Sequence, residues 1–277
     1  TPTGLITFLT GQAYLDSEGA PRDGRRSCIV EPFTSATIVD SLKGLFNPQT
    51  EISAQYTKGL MGRDSGGMNW KMDQNVVSQQ FGSYSGATLA CNVTTATGFL
   101  TSGWAQSSNI TIGATGANAS LNQGDVITIA GVYAVNPQNR QAYGSNKLRN
   151  FVVNSPVTIT ASGTATVNVS PAVITAGQFQ NVSVTSTGSQ AVVPFNNTGA
   201  VSPQNIIMHR NAFTLAVADL ELPDGVHFAG RASDKEIGLS MRVVRQYTIN
   251  NDSIPTRLDV LYGWAPLYPE LACRVAA

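Results

Sequence analysis

Residues 63–67 read Arg-Asp-Ser-Gly-Gly, and this is the string most suggestive of catalysis, because it is typical of the nucleophile loop of trypsin-type serine proteases. Those enzymes also need a general base and an orienting acid, in the chain order His, Asp, Ser. Both histidines of this chain, His209 and His227, follow Ser65. The order excludes that mechanism, and we interpret the string as a glycine-rich link between a helix and the next strand.

Metal, phosphate and cofactor sites are not indicated by spacing either. His209 and His227 are too far apart for an i, i+4 ligand pair and have no His-x-His or His-Glu-x-x-His neighbours. The glycine-rich residues 113–116 lack the Lys-Ser/Thr of a phosphate loop. We therefore assign no catalytic, cofactor-binding or metal-binding residue. The cysteines are odd in number and have no Cys-x-x-Cys spacing, so we expect buried reduced thiols at Cys28, Cys91 and Cys273.

Charge density divides the chain into three segments, which we predict to be domains. Residues 1–76 and residues 204–277 each carry seven Lys/Arg and eight Asp/Glu, whereas residues 77–203 carry only Asp125, Arg140, Lys147 and Arg149. The net charge of the whole chain is zero, so no overall positive field attracts it to nucleic acid or to an anionic membrane. No apolar run approaches the roughly 18 residues that span a bilayer.

The middle segment consists of short β-branched runs separated by turn residues, and this pattern predicts an antiparallel barrel or sandwich. Residues 164–170 alternate between apolar and polar side chains, which is typical of a strand with one buried face. The predicted strands are residues 88–94, 110–112, 126–132, 151–160, 164–170 and 180–185.

The two outer segments have the pattern of an α/β frame. Residues 26–31 predict a strand, apolar residues from Phe33 to Phe46 recur at helical spacing until Asn47-Pro48, and residues 48–58 predict a second helix. Further strands are expected at residues 68–72, 239–249 and 257–264, the last two as a hairpin. Because an insert usually enters a domain at a surface loop, we expect its ends, Val76 and Pro203, to lie close together.

The positive charges of the middle segment all lie within residues 136–149, in a polar, glycine-containing stretch. Arg140, Lys147 and Arg149 are therefore candidates for contact with another subunit. The alternative is that a barrel keeps its few charges on its longest loop for solubility. The sequence favours neither interpretation.

Seven strings along the chain, taken in order, form a recognisable set. The first reads Ala-Pro-Arg-Asp-Gly-Arg-Arg-Ser and the last reads Arg-Leu-Asp-Val-Leu-Tyr-Gly-Trp. The strings are residues 20–27, 42–48, 70–75, 124–132, 209–213, 242–247 and 257–264. Together they resemble the major coat proteins of P-twenty-two-type tailed bacteriophages, and the resemblance covers nearly the whole chain.

This resemblance implies an α+β fold of the HK-97 capsid type, with the A-domain and part of the P-domain interrupted by an antiparallel β-barrel insertion domain. It implies a structural protein without catalytic residues, whose copies form pentamers and hexamers of an icosahedral virion capsid. The implied partners are scaffolding protein, portal protein and double-stranded DNA enclosed without sequence-specific binding, with assembly in the bacterial cytoplasm and no membrane. It also implies that the family's N-terminal arm, extended loop and spine helix precede Thr1, so we interpret the start without Met as a processed or truncated product.

The loop by which the resembling family contacts neighbouring capsomers corresponds to residues 101–109, which carry no charge here. Salt-bridged pairing through this loop is therefore not expected. Trp104 is the candidate anchor instead, because an exposed tryptophan contributes large contact area with few rotamers to immobilise.

Two other functions stay open at this point. A secreted or surface β-rich binding module would account for the low charge and the many Asn-x-Ser/Thr triplets, and it predicts no amphipathic helix near residues 33–46. A glycosidase with a scattered site could recruit two of the 17 acidic residues, and it predicts a concave pocket with two neighbouring carboxylates.

Overall fold

The computed structural model describes residues 2, 4–42, 65–92, 104–144, 147–185, 188–195, 197–236 and 238–276. In these ranges the chain is β-rich and forms two compact units, residues 1–209 with 272–277 and residues 210–271. The helices and strands are α1 (Leu5–Ser17), β1 (Arg26–Val30), α2 (Pro32–Leu42), β2 (Asn69–Met72), β3 (Ser78–Gln80), β4 (Thr88–Asn92), β5 (Ser108–Thr115), β6 (Ala119–Leu121), β7 (Val126–Ala134), β8 (Leu148–Val153), β9 (Val157–Ile159), β10 (Thr164–Ser170), β11 (Val182–Val184), β12 (Ser189–Pro194), β13 (Val201–Pro203), β14 (Asn205–His209), β15 (Phe213–Ala218), β16 (Phe228–Asp234), β17 (Leu239–Arg245), β18 (Thr256–Asp259), β19 (Leu261–Pro266) and β20 (Ala272–Val275).

A four-stranded sheet in the order β2-β1-β14-β20 forms the frame of the first unit. Strands β1 and β2 run parallel, and β1, β14 and β20 pair antiparallel. Helix α1 buries Phe8, Gly11, Gln12 and Leu15. At Gly11 a Cβ atom would lie only 2.9 Å from the Ile207 side chain, so glycine allows the helix to approach the sheet closely.

A closed antiparallel barrel forms the rest of the first unit. Its six strands follow the order β7-β12-β4-β5-β10-β8, and the pairing of β7 with β8 closes the ring, while β11 pairs with the far end of β7. Alternate residues of each strand point inward, as the period of two requires. The inward side chains include Ile110, Ile112, Ile127, Ile129, Phe151, Val153, Val167 and Val169. Of the two architectures that the sequence predicts, the barrel is the one observed.

The barrel joins the frame through a short antiparallel ribbon of β3 and β13. Ser78 is the register partner of Pro203, and the Gln204 amide donates to the Val77 carbonyl. The two ends of the charge-poor segment therefore lie side by side, as an insertion requires. The domain boundaries at residues 76 and 203 themselves stay a prediction.

The second unit contains a two-stranded sheet, β15 with β19, and a three-stranded sheet in the order β16-β17-β18. The predicted hairpin exists, with Arg242 of β17 opposite Asp259 of β18. The predicted strand 257–264 is not continuous, however, because it divides at Val260 into β18 and β19, which belong to different sheets. The strand predicted at 239–249 ends at Arg245.

Other predicted elements are observed with shifted bounds. The strands expected at 26–31 and 68–72 are β1 and β2, and the helix expected from Phe33 is α2. Its predicted end at Asn47-Pro48 and the predicted helix 48–58 lie outside the described residues. The predicted run 151–160 divides into β8 and β9. Among the described residues, no helix has the length and apolar character to cross a membrane.

Candidate functional site

Of the residues that looked most catalytic, Arg63 and Asp64 lie outside the described residues, and the others occupy structural positions. Residues 65–67 form a short 3-10 turn in which Gly66 and Gly67 have φ of 66° and 76°. His209 is buried, and its Nε2 lies 3.1 Å from a carboxylate oxygen of Asp23, whereas His227 is exposed. Within the described part of the chain, no cluster of three His, Cys, Asp or Glu side chains could hold a metal ion.

The three cysteines are free thiols. Cys28 and Cys91 are buried, as predicted, while Cys273 is partly exposed. Burial raises the pKa of the Cys91 thiol to about 11 and raises the pKa of Cys28 further. Both thiols are therefore protonated at neutral pH, and a protonated thiol is a poor nucleophile.

The base of the barrel is organised around Asp125, the only acid of residues 77–203. Its side chain is buried, and one carboxylate oxygen accepts the backbone amides of Gly82, at 3.1 Å, and Asn122, at 2.8 Å. The amide of Gln79 donates to the other oxygen at 3.4 Å. Burial raises the pKa of Asp125 above its usual range, although these donors and Arg274 act in the opposite direction.

Arg274 of β20 connects the frame to this base. Its guanidinium donates to the Gln79 side chain at 2.8 Å and to the Gly124 carbonyl. Gln79 Nε2 in turn donates to the Gln123 carbonyl. One arginine of the last frame strand thus contacts both the ribbon strand β3 and the turn that contains Asp125.

A second attachment lies where Tyr143, Lys147 and Arg149 meet the end of helix α1, and we call it the clasp. Lys147 Nζ lies 3.4 Å from the centroid of the Tyr14 ring and 3.0 Å from the Ser17 hydroxyl. Positive charge at the C-terminal end of a helix is favourable, since the carbonyl groups there carry partial negative charge. The clasp therefore matches the electrostatics of the helix end.

Two further contacts complete the clasp. The Tyr143 hydroxyl donates to the backbone carbonyl of Ser17. Arg149 forms an ion pair with Glu18 at 2.5 Å, and both side chains are largely buried. Burial lowers the pKa of Lys147 to about 8, with the Arg149 charge adding to this effect and Glu18 opposing it.

The four candidate contact residues therefore differ in their surroundings. Lys147 and Arg149 contact helix α1 of their own chain. Arg140 is exposed in a turn and has φ of 57°. Trp104 is 69% exposed. Contact of any of these residues with a neighbouring subunit stays a prediction.

The two-stranded sheet of the second unit has one apolar face. Cross-strand partners in a sheet project to the same side. Leu215 is opposite Trp264, and Val217 is opposite Tyr262. Leu215 is 56% exposed and Trp264 is 75% exposed, so this face is open to solvent in the single chain.

The three-stranded sheet of the second unit also exposes an apolar face. Val243 of β17 is opposite Leu258 of β18, and Met241 lies two residues from Val243 on the same side. Leu258 and Met241 are both exposed. Among the described residues of the second unit, only Ala212 and Ser240 are buried. An apolar surface of this extent, on a unit with almost no core, indicates a protein–protein contact.

The clasp and the base of the barrel escaped prediction from the sequence. The sequence singled out the charges of residues 136–149 but could not indicate their partners. Glu18, for example, is 131 residues from Arg149, so no local pattern connects the two. The surface-module interpretation predicted no helix near residues 33–46, and α2 is observed there. That interpretation is therefore disfavoured.

Comparison with known proteins agrees with the strings noted above. The family model described as P22 coat protein, gene protein 5, matches residues 10–274. No curated protein matches the chain. The match covers nearly the entire β-rich chain, including the barrel and both sheets of the second unit. The chain therefore belongs to the P22 coat protein family, and it is a structural phage capsid protein.

Proposed function

We propose that copies of this chain associate through the apolar faces of the second unit to form pentamers and hexamers of an icosahedral shell. The observation that carries the proposal is that almost none of the described residues between 210 and 271 is buried. Two-stranded sheets are at best marginally stable alone in water. Such a unit gains its stability from a surface that covers Leu215, Trp264 and Leu258.

The partner that fits best is a second copy of the same chain. Residues 210–271 carry six Lys/Arg and eight Asp/Glu, whereas the remainder carries 11 and nine. The second unit thus has a net charge of −2 and the first unit a net charge of +2. Opposite net charges favour a head-to-tail contact in which the second unit of one copy meets the first unit of the next.

The finer assignments rest on the family. We infer a frame of the HK-97 capsid type, with residues 77–203 as an inserted barrel domain between residues 1–76 and 204–277. Support for the insertion comes from the closed barrel and from the β3–β13 ribbon that joins its ends. Scaffolding protein, portal protein and enclosed double-stranded DNA are the proposed partners, and the bacterial cytoplasm is the proposed place of assembly.

Assembly is tested with two matched substitutions, Leu215→Ser and Val193→Ser. Both side chains are 56% exposed, but Leu215 lies on the apolar face of the second unit and Val193 lies on the barrel. The full-length product is co-expressed with a scaffolding protein, and particles are examined by negative-stain microscopy. We expect shells from the wild type and from V193S, and few or none from L215S.

Two outcomes contradict the proposal. Wild-type protein that forms no particles with pentameric and hexameric units argues against the shell itself. Shells of normal yield from L215S argue that the apolar face is not the contact. Circular dichroism of both variants shows whether a loss of particles reflects a loss of fold.

A further inference from the structure

The barrel is attached to the frame in two places that differ in kind: at its base, by the β3–β13 ribbon and Arg274, and at the clasp. The ribbon of β3 and β13 is continuous with the chain on both sides, so it persists as long as the fold persists. The clasp is made only by side chains of Tyr143, Lys147 and Arg149 on the last turn of α1. A body held at its base alone can turn about that base, and an attachment away from the base removes that freedom.

We propose that the clasp is a releasable lock, which holds the barrel against the end of helix α1 when closed and leaves the β3–β13 ribbon as a hinge when open. The proposal concerns movement within one chain and is independent of how copies associate.

The contacts of the clasp are of the kind that open readily. They comprise one ion pair, one ammonium group on an aromatic ring and two side-chain hydrogen bonds. The Arg149–Glu18 pair is largely buried, and the cost of desolvating two charges offsets much of their mutual attraction, so the pair adds little net stability. The base of the barrel differs, since Asp125 there accepts two backbone amides in a buried position.

The lock responds to pH through Lys147. The groups that face its ammonium are Tyr14 of α1, Glu18 directly after α1, Tyr143 and Arg149 of the barrel segment, and Cys273 of β20. Burial is the largest effect, and it lowers the pKa of Lys147 from 10.5 to about 8 in the closed state.

The sign of the response follows from this shift. The open state holds the Lys147 proton more tightly than the closed state, so closing releases a proton between these two pKa values. Closing therefore becomes more favourable as pH rises, because the cost of burying the charged amine outweighs the contacts that favour its charge. With a pKa of about 8 in the closed state and 10.5 in the open state, the equilibrium constant for closing increases about tenfold from pH 7 to pH 9. Solvent screening of the half-buried amine makes this increase smaller, with a lower limit of about threefold.

Amide hydrogen exchange of the whole protein tests the lock. The amides of Glu18 and Gly19 bond to carbonyls of the last α1 turn, so their protection reports on the helix end that the clasp covers. After correction for intrinsic exchange rates, we expect their protection in the wild type to rise threefold to tenfold between pH 7 and pH 9. The same amides in Lys147→Met, which cannot titrate, are expected to show no such rise.

Matched variants make each outcome decisive. Arg140→Met removes a nearby exposed charge and is expected to keep the wild-type response. Lys147→Arg keeps a positive charge but does not titrate in this range, so it is also expected to show no rise in protection. If K147M fails to fold, K147R takes its place in the comparison. Barrel core amides such as Ile112 should keep their protection in every variant.

The lock is overturned by either of two results. One is an equal rise in protection for the wild type and K147R, because the rise then comes from another group. The other is unchanged protection of Glu18 and Gly19 in Arg149→Ala combined with Tyr143→Phe, because the clasp then does not hold the helix end.

Discussion

Replacing Asp125 by Ala tests whether one buried carboxylate organises the base of the barrel. The substitution removes the acceptor for the backbone amides of Gly82 and Asn122. A buried donor without a partner costs about 1–3 kcal/mol. Because the Asn122 amide is only partly buried, we expect the barrel to lose about 2–4 kcal/mol of stability from the two together.

Asp125→Asn is the matched variant, since its side-chain oxygen can still accept both backbone amides. It places an NH2 group opposite the Gln79 amide and removes the attraction to Arg274. Burial raises the pKa of Asp125, however, which means that the negative charge is itself unfavourable in the fold. The two effects oppose each other, so we expect D125N to lose less than half as much stability as D125A.

Native-state hydrogen exchange of barrel core amides is the suitable assay, because it reports on the barrel without assuming that the whole chain unfolds in one step. Gln123→Ala provides the control, since this side chain is exposed in the same turn. A D125A barrel within about 0.5 kcal/mol of the wild type, the range of neutral surface changes, would refute the reasoning. Equal losses in D125A and D125N would show that charge, rather than the two amides, is what the carboxylate supplies.

Further predictions concern three other positions. Trp104→Ala should weaken contact between capsomers, and unchanged resistance of assembled particles to urea would remove Trp104 as an anchor. Gly82→Ala places a Cβ atom 2.0 Å from the Ser120 carbonyl oxygen, so it should cost about 2–3 kcal/mol, read as a shift of the urea midpoint. The pKa of Asp16 is lowered to about 2 by Arg22 and then by Arg26. The ionised Asp16 contributes about 1 kcal/mol to the free energy of unfolding after solvent screening. This contribution is present above pH 4 and is lost as pH falls towards 2. Asp16→Asn should therefore remove this pH dependence from the measured stability.

Helix α1 shows why part of the fold could not be predicted from sequence. Its buried positions follow the i, i+3, i+4, i+7 spacing of an amphipathic helix, but two of them are Gly11 and Gln12. Close packing against Ile207 selects the glycine, and that requirement comes from the sheet rather than from the helix. Because two of the four buried positions of α1 are not large apolar residues, the sequence does not show the pattern of an amphipathic helix there.

Strand β12 shows the same limit in the barrel. Gln190 is buried, whereas Ala191 and Val193 on the opposite parity are exposed. The inward face therefore carries Gln190 as well as the buried Val192, and the outward face carries apolar residues, which hides the period-two signal. Strands with regular alternation, such as β10, were predicted with their observed bounds, because each of their faces has one environment.

The charges of the barrel show what the sequence could and could not indicate about function. The six barrel strands lie within the charge-poor residues 77–203, yet charge density could not reveal the use of each charge. Asp125 organises the base of the barrel, and Lys147 and Arg149 attach the barrel to the end of helix α1, so three of the four charges have partners within the chain. Only Arg140 projects from an exposed turn. In the proposed shell every exposed charge is repeated on each neighbouring copy, and like charges at close distance repel. A barrel that uses charge for attachment and leaves its outer surface nearly neutral avoids that repulsion while keeping its position on the frame.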